Sequence, residues 1–278
     1  MPPIELEKLI QDLVSVDGSL RIFGYGSLIW KPNFPFKSRT VGYIKGYERR
    51  FYQGTTTHRG TPEWPGRVAT LIEAKPGTVE ENPSNIAITS GCTSPLVWGV
   101  AYELRGLADI RSALAHLAER EMILGGYRFD CVQFYPYLGR RAKPEDVAAA
   151  AYSVQVYIAE PGNDQYLGSA PLDIQAYQIA RAEGFCGRNI EYVKKVAVFM
   201  LEEVPNGQDK DRHVFELVRR AEAFLYEEDD LTEEQKALMP VRVLCPHGDH
   251  QLREANAKCT CQLADRRYSD EVLRDVIL

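Results

Sequence analysis

The stretch Phe23-Gly24-Tyr25-Gly26-Ser27-Leu28-Ile29-Trp30 governs how the rest of the chain is read. Leu20, Ile22 and Phe23 form a strand-like apolar run that breaks there into two glycines and a small hydroxyl. Glycine lets the backbone turn where a Cβ would collide, and such a loop can present N–H groups to a ligand oxygen. A serine in this setting suggests a nucleophile. However, the Gly-x-Ser-x-Gly elbow is missing, and Gly24-x-Gly26 lacks the third glycine of a dinucleotide fingerprint. From these residues alone two readings stay open: a cradle for an anion or carbonyl oxygen, and a tight turn between strand and loop.

Outward from this loop the sequence is rich in β-formers. Val41 to Tyr52, Arg67 to Glu73, Leu96 to Leu104, Tyr127 to Tyr137 and Ala151 to Ala159 read as strands, with one helix over 107–124 between the third and fourth. Several strands with few intervening helices favour an α+β fold in which a small mixed β-barrel is flanked by helices, over a doubly wound parallel sheet. Helical spacing is expected over 4–16, 171–184, 188–204 and 211–228. The organisation predicted is an N-terminal helical extension over 1–19, a central domain over 20–205 and a C-terminal helical extension and tail over 206–278. A Pro-, Gly-, Asn-, Ser- and Thr-rich surface insertion is expected at 75–95. The acidic run from Glu227 to Asp230 reads as a solvated linker.

Composition narrows the function class. At 278 residues and 45% hydrophobic content the chain can bury a sizeable core. A net charge of −6, with no basic stripe and with short pairs such as Arg49-Arg50 and Arg140-Arg141, argues against nucleic-acid binding. The sequence holds no apolar run of about 18 residues for a membrane span and no signal-peptide pattern, so a cytoplasmic location is expected; a monomer is the accompanying expectation. Six cysteines are sparse for this length, and a reduced state follows. The tail gathers Cys245, His247, His250, Cys259 and Cys261. Their Cys-x-His and Cys-x-Cys spacing lacks the gaps of a zinc knuckle, so an ordinary loop with no metal is expected.

The chemistry is most legible in the helix before Gly125-Gly126. Ile110, Leu114, Leu117, Glu121 and Leu124 follow steps of three and four, which sets the Glu121 carboxylate on an aliphatic stripe. Burial there raises a carboxylate pKa into the range of a general base. The alternative is a structural ion pair with Arg67 or Arg120. Arg49, Arg50, Arg67 and Arg188 are candidates to clamp carboxylates, or to pair with structural acids. His58 lies in a polar loop. Cys186 precedes a helix start, where thiolates are favoured.

These segments, taken in order, resemble the ChaC family of γ-glutamylcyclotransferases. The resemblance is carried by Gly24-Tyr25-Gly26-Ser27-Leu28-Ile29-Trp30, then Gly46-Tyr47-x-Arg49-Arg50-Phe51-x-Gln53-Gly54, His58-Arg59-Gly60 and Pro65-Gly66-Arg67-Val68. It continues through Trp98-Gly99-Val100-Ala101-Tyr102, Arg120-Glu121, Gly125-Gly126-Tyr127, Phe134-Tyr135-Pro136, Tyr166-Leu167-Gly168, Gly187-Arg188-Asn189 and Glu191-Tyr192. It covers roughly residues 20 to 200. It implies a small mixed barrel, glutathione as substrate, and an intramolecular acyl transfer that releases 5-oxoproline and cysteinylglycine. Glu121 would be the base and then the acid. Gly24, Tyr25, Gly26, Ser27, Leu28 and Ile29 would form the oxygen cradle, and Arg67, Tyr127 and Tyr166 would line the pocket. No metal, nucleotide or other cofactor is implied. The competing expectations are a cyclotransferase for other γ-glutamyl amines and a non-catalytic interaction module on the same fold.

Overall fold

Leu20, Ile22 and Phe23 are fully buried, and the strand they make, Ser19–Gly24 (β1), is where the fold closes on itself. The computed structural model describes residues 3–74, 95–117 and 127–226. The further strands are Ser38–Lys45 (β2), Tyr47–Thr55 (β3), Gly66–Glu73 (β4), Leu96–Arg105 (β5), Tyr127–Pro136 (β6) and Tyr152–Ala159 (β7). Two-residue strands follow at Glu183–Gly184 (β8) and Gly187–Arg188 (β9). Helices are Pro3–Leu13 (α1), Leu107–Leu117 (α2), Pro144–Ala149 (α3), Leu172–Arg181 (α4), Asn189–Glu203 (α5), Gly207–Lys210 (α6) and Arg212–Tyr226 (α7).

Five strands form a closed barrel in the order β1-β5-β2-β6-β7. All neighbours are antiparallel except β1 and β7, whose parallel pairing (Phe23 opposite Val156) closes the ring. The fold is therefore the mixed barrel with flanking helices that the strand content predicts. Closure leaves no bare sheet edge in the barrel. Val154, Val156 and Ile158 of β7 meet Ile22, Phe23, Val100 and Phe134 in the core. The helices cover the outside. α5 is buried on nearly every side, through Ile190, Val193, Val196, Ala197, Phe199 and Met200. Val214, Leu217, Val218 and Ala221 of α7 recur at helical spacing and join the same core. No described helix is long and apolar enough to cross a membrane.

Three details differ from the sequence reading. The run from Val41 to Tyr52 is two strands. At Gly46 the backbone takes φ +82°, a conformation that β-branched and bulky residues avoid, and the chain leaves the barrel. β3 then pairs with β4 in a separate two-stranded ribbon, with a register shift between Arg50 and Gln53. The helix expected over 171–184 stops at Arg181, because Glu183-Gly184 is taken into a hairpin with Gly187-Arg188. α3 buries no side chain and so has no apolar stripe to read. The rest of the helix expected over 107–124, the insertion at 75–95 apart from Pro95, and the chain after Tyr226 lie outside the described residues.

Register fixes which loops share one end of the barrel. β1 ends at Gly24 opposite Val100, β7 ends at Ala159 opposite Tyr127, and β2 ends at Lys45 opposite Leu96. The glycine loop after β1, the segment after β7, the β3–β4 ribbon after β2 and the start of β6 therefore converge. α2 begins at the opposite end, where β5 leaves the barrel at Arg105. The chain must return to the near end by Tyr127.

Candidate active site

The glycine loop is held from three sides. Tyr25 Oη donates a hydrogen bond to the Tyr157 carbonyl at 2.6 Å, which ties the loop to β7. Ser27–Ile29 close a single 3-10 turn, in which the Ile29 amide donates to the Gly26 carbonyl (2.9 Å) and the Lys31 amide to the Ser27 carbonyl (2.9 Å). Tyr102 Oη reaches the carbonyls of Leu28 and Ile29 at 2.9 and 3.1 Å. Leu28 and Ile29 put their side chains in the core, and of residues 24–29 Ser27 alone is not buried. The Ile29 amide is engaged inside the turn, so a cradle built on this loop is confined to the amides that precede it and the Ser27 hydroxyl. That shortens the expected cradle.

Gly26 is where the loop presses on the ribbon. A Cβ at Gly26 would lie 2.5 Å from Tyr192 Oη and 3.5 Å from the Ala69 Cβ. The first turn of α5 in turn satisfies the outer backbone edge of β4. Asn189 accepts from the Arg67 amide (2.7 Å) and donates to the Arg67 carbonyl (2.8 Å), and Tyr192 Oη accepts from the Ala69 amide (3.2 Å). Residues 189 and 192 are one helical turn apart, and 67 and 69 are one strand period apart, so the two elements match in spacing. The sequence reading left Asn189 and Tyr192 out of the site. The signal was their separation of three at a helix start.

Arg67 is fully buried. Its Nε donates to Gln178 Oε1 (2.7 Å), and its Nη1 to the Phe51 carbonyl (2.9 Å) and the Gly168 carbonyl (3.0 Å). Nη2 is buried without a hydrogen-bond partner, and no carboxylate among the described residues pairs with the guanidinium. Burial pulls its pKa down to about 10, with a smaller opposing effect from the Tyr52 phenol, so the group stays charged at neutral pH. The expected bidentate clamp is not available in this arrangement, because two of the three guanidinium nitrogens already hold the protein together.

Tyr166 sits next to this network. The amides of Leu167 and Gly168 both donate to the Tyr52 carbonyl (2.8 and 3.1 Å), and Gln53 and Asn163 bond through their side-chain amides. The segment after β7 is thereby laid along β3, and Tyr166 is half-buried, its phenol pKa raised by burial and by Tyr52. Tyr127 opens β6 opposite Ala159, whose amide donates to Thr70 Oγ1 at 3.2 Å. Glycine loop, Arg67, Tyr166 and the start of β6 thus meet around the ribbon and the near end of the barrel. Glu121 lies outside the described residues, four positions after buried Leu117 and six before Tyr127.

The other candidates have structural partners. Arg49 pairs with Asp211 and the Trp98 carbonyl, and Arg50 with Glu48. Arg188 is exposed. His58 meets Thr57 Oγ1 at 3.1 Å and lies tilted against Phe185, with ring centroids 5.0 Å apart. Cys186 is a partly buried thiol. Among the described residues no group of three His, Cys, Asp or Glu side chains could hold a metal ion, and the Cys- and His-containing tail lies outside them.

A closed five-stranded mixed barrel with a pinned glycine loop leaving its first strand defines the structural class. It is shared with a solved structure of the yeast γ-glutamyl cyclotransferase specific to glutathione, at a TM-score of 0.62 and 26% identity, covering 75% of this chain and 98% of that one. Residues 20–223 match the family model described as ChaC-like protein, and the chain belongs to that family. It is 43% identical over 207 residues to a protein of Danio rerio named glutathione-specific γ-glutamylcyclotransferase 1, covering 74% of this chain and 91% of the relative. The Mus musculus protein of the same name is 42% identical over 192 residues, covering 69% and 74%. A relative from Arabidopsis thaliana named γ-glutamylcyclotransferase 2-3 is 39% identical over 214 residues, covering 76% and 92%.

Proposed function

We propose that this chain degrades glutathione by intramolecular cyclisation of its γ-glutamyl group, releasing 5-oxoproline and cysteinylglycine. The observation that carries the reading is the identity of about two residues in five with proteins named for that activity, together with a family match over residues 20–223 that includes the whole glycine loop. In the reaction the substrate's α-amine attacks its own γ-carbonyl carbon. The new C–N bond closes a five-membered lactam, and the amide bond to cysteine breaks. Glu121 takes a proton from the amine and returns one to the departing nitrogen. Both reacting atoms belong to one molecule, so the protein's main task is to hold a folded conformer with them about 3–3.5 Å apart.

In this reading the loop from Gly24 to Leu28 supplies donors to the γ-carbonyl oxygen as it gains charge, each worth ~10²–10³ in rate. Ile29 closes the turn behind these donors, and Tyr25 anchors the loop. Arg67 acts from behind the pocket. Its buried charge favours the substrate's carboxylates, and its bond to the Gly168 carbonyl supports Tyr166. Tyr127 and Tyr166 line the pocket. A cytosolic monomer is the accompanying proposal, and the cyclisation as written needs no cofactor.

The test is Glu121→Gln, which keeps the shape and removes the base. Turnover should fall by ~10²–10⁴, the usual worth of a positioned acid–base group. Melting temperature and substrate affinity should be unchanged. A variant with wild-type turnover would remove Glu121 from the mechanism.

A further inference from the structure

We infer that Tyr192 is a positioning residue for the glycine loop: its phenol oxygen joins β4 to the loop and sets how closely Gly26 approaches the ribbon. The inference rests on the proposed role of that loop in holding the substrate. Tyr192 is 5% exposed and its ring is wedged between two aromatic neighbours. Trp30, at the end of the loop, meets it edge-on with ring centroids 5.4 Å apart at 70°, and Phe51 of β3 meets it at 6.4 Å and 89°. The ring cannot swing away without displacing one of them. Its oxygen accepts the Ala69 amide at 3.2 Å and is the nearest atom to the position a Gly26 Cβ would take, 2.5 Å away. The remaining neighbours of that Cβ, Ala69 Cβ at 3.5 Å and Tyr192 Cζ at 3.8 Å, are at ordinary contact distance. Among the atoms around position 26, the Tyr192 oxygen is therefore the one that stands where a side chain would begin.

The consequence is a specific rescue. In Gly26→Ala the new methyl pushes the loop off the ribbon, and the amides that face the γ-carbonyl move with it. Misplacing a positioned group by about 1 Å costs ~10²-fold in rate. Tyr192→Phe removes the oxygen, which opens the space for that methyl and leaves the Ala69 amide without its acceptor. Loss of the Ala69 bond by itself lowers activity by about 3–10-fold. Combining the two should therefore be less harmful than the product of the single losses.

The experiment measures kcat and KM for glutathione, and melting temperature, in the wild type, both single variants and the double variant. The expected result is a Gly26→Ala loss of ~10²-fold in kcat that shrinks to within a few-fold of Tyr192→Phe alone in the double variant. Losses that simply multiply, or a Gly26→Ala protein with wild-type kcat, would overturn the inference. Should Gly26→Ala fold poorly, the double variant must melt above it, and a double variant that melts no higher also overturns the contact. Absence of turnover in the wild type would sink the reaction assigned above. Turnover in the wild type with multiplicative losses would sink the role of Tyr192 alone.

Discussion

Replacing Arg67 by methionine tests whether the pocket is held from behind by a buried cation. The guanidinium makes three hydrogen bonds, to Gln178 Oε1, the Phe51 carbonyl and the Gly168 carbonyl, at 2.7, 2.9 and 3.0 Å. Charge-assisted bonds contribute roughly 1.5–3 kcal/mol each, a gross loss of ~5–9 kcal/mol when all three go. Removing a buried charge that has no acid partner among the described residues relieves several kcal/mol of desolvation in the opposite direction. The net expectation is a destabilisation of about 3–5 kcal/mol, in line with breaking other buried charged networks. For a domain of this size each kcal/mol moves the melting point by about 2–4 °C, so Tm should fall by ~6–20 °C in a thermal melt. Arg67→Lys keeps the charge but not the fork and should fall between. A methionine variant that melts within about 2 °C of wild type, with its only defect a raised KM, would refute the reasoning and make Arg67 a direct substrate ligand.

Two further changes probe the frame around the site. Tyr25→Phe removes the bond to the Tyr157 carbonyl and should cost about 1–3 kcal/mol, read as a lower Tm and a higher KM, and a variant indistinguishable from wild type would show that this bond does not hold the loop. His213 is buried between Phe51 and the Arg49–Arg50 pair, and burial first, then those two arginines, lowers its pKa to about 3 from an ordinary 6.5. Below pH 6.5 the unfolded chain takes up a proton that the folded protein refuses, so this contribution to stability is intact above pH 6.5 and is lost as pH falls towards 3. Between pH 6.5 and 4.5 the loss approaches ~2.7 kcal/mol, and His213→Leu should flatten that part of the stability profile; equal slopes in both proteins would exclude His213 as its source.

Much of the fold was legible because its strands are apolar runs bounded by glycine and proline, and because α2 and α7 carry stripes at helical spacing. The break at Gly46 was harder to see, since Val41 to Tyr52 alternates through it. A lone glycine inside a strand pattern was the available warning. The site was legible where function shapes the backbone, at Gly24 and Gly26, and less so where it depends on tertiary burial. Arg67 in sequence is an arginine beside a valine, equally suited to clamp a ligand or to tie strands together. Only the partners that Phe51, Gly168 and Gln178 provide separate those roles. The Ile29 amide could not be discounted without knowing that the loop closes into a 3-10 turn. Tyr192 sits among core residues in a helix, and nothing local announces that its oxygen meets a glycine in a loop 166 positions earlier.

The central claim is tested most directly by incubating the purified full chain with reduced glutathione and, separately, with γ-glutamyl-alanine, without added metal or nucleotide, and quantifying the products by mass spectrometry. Equal amounts of 5-oxoproline and cysteinylglycine from glutathione, with little 5-oxoproline from γ-glutamyl-alanine, is the predicted result. Glutathione left intact while γ-glutamyl-alanine is cyclised would contradict it.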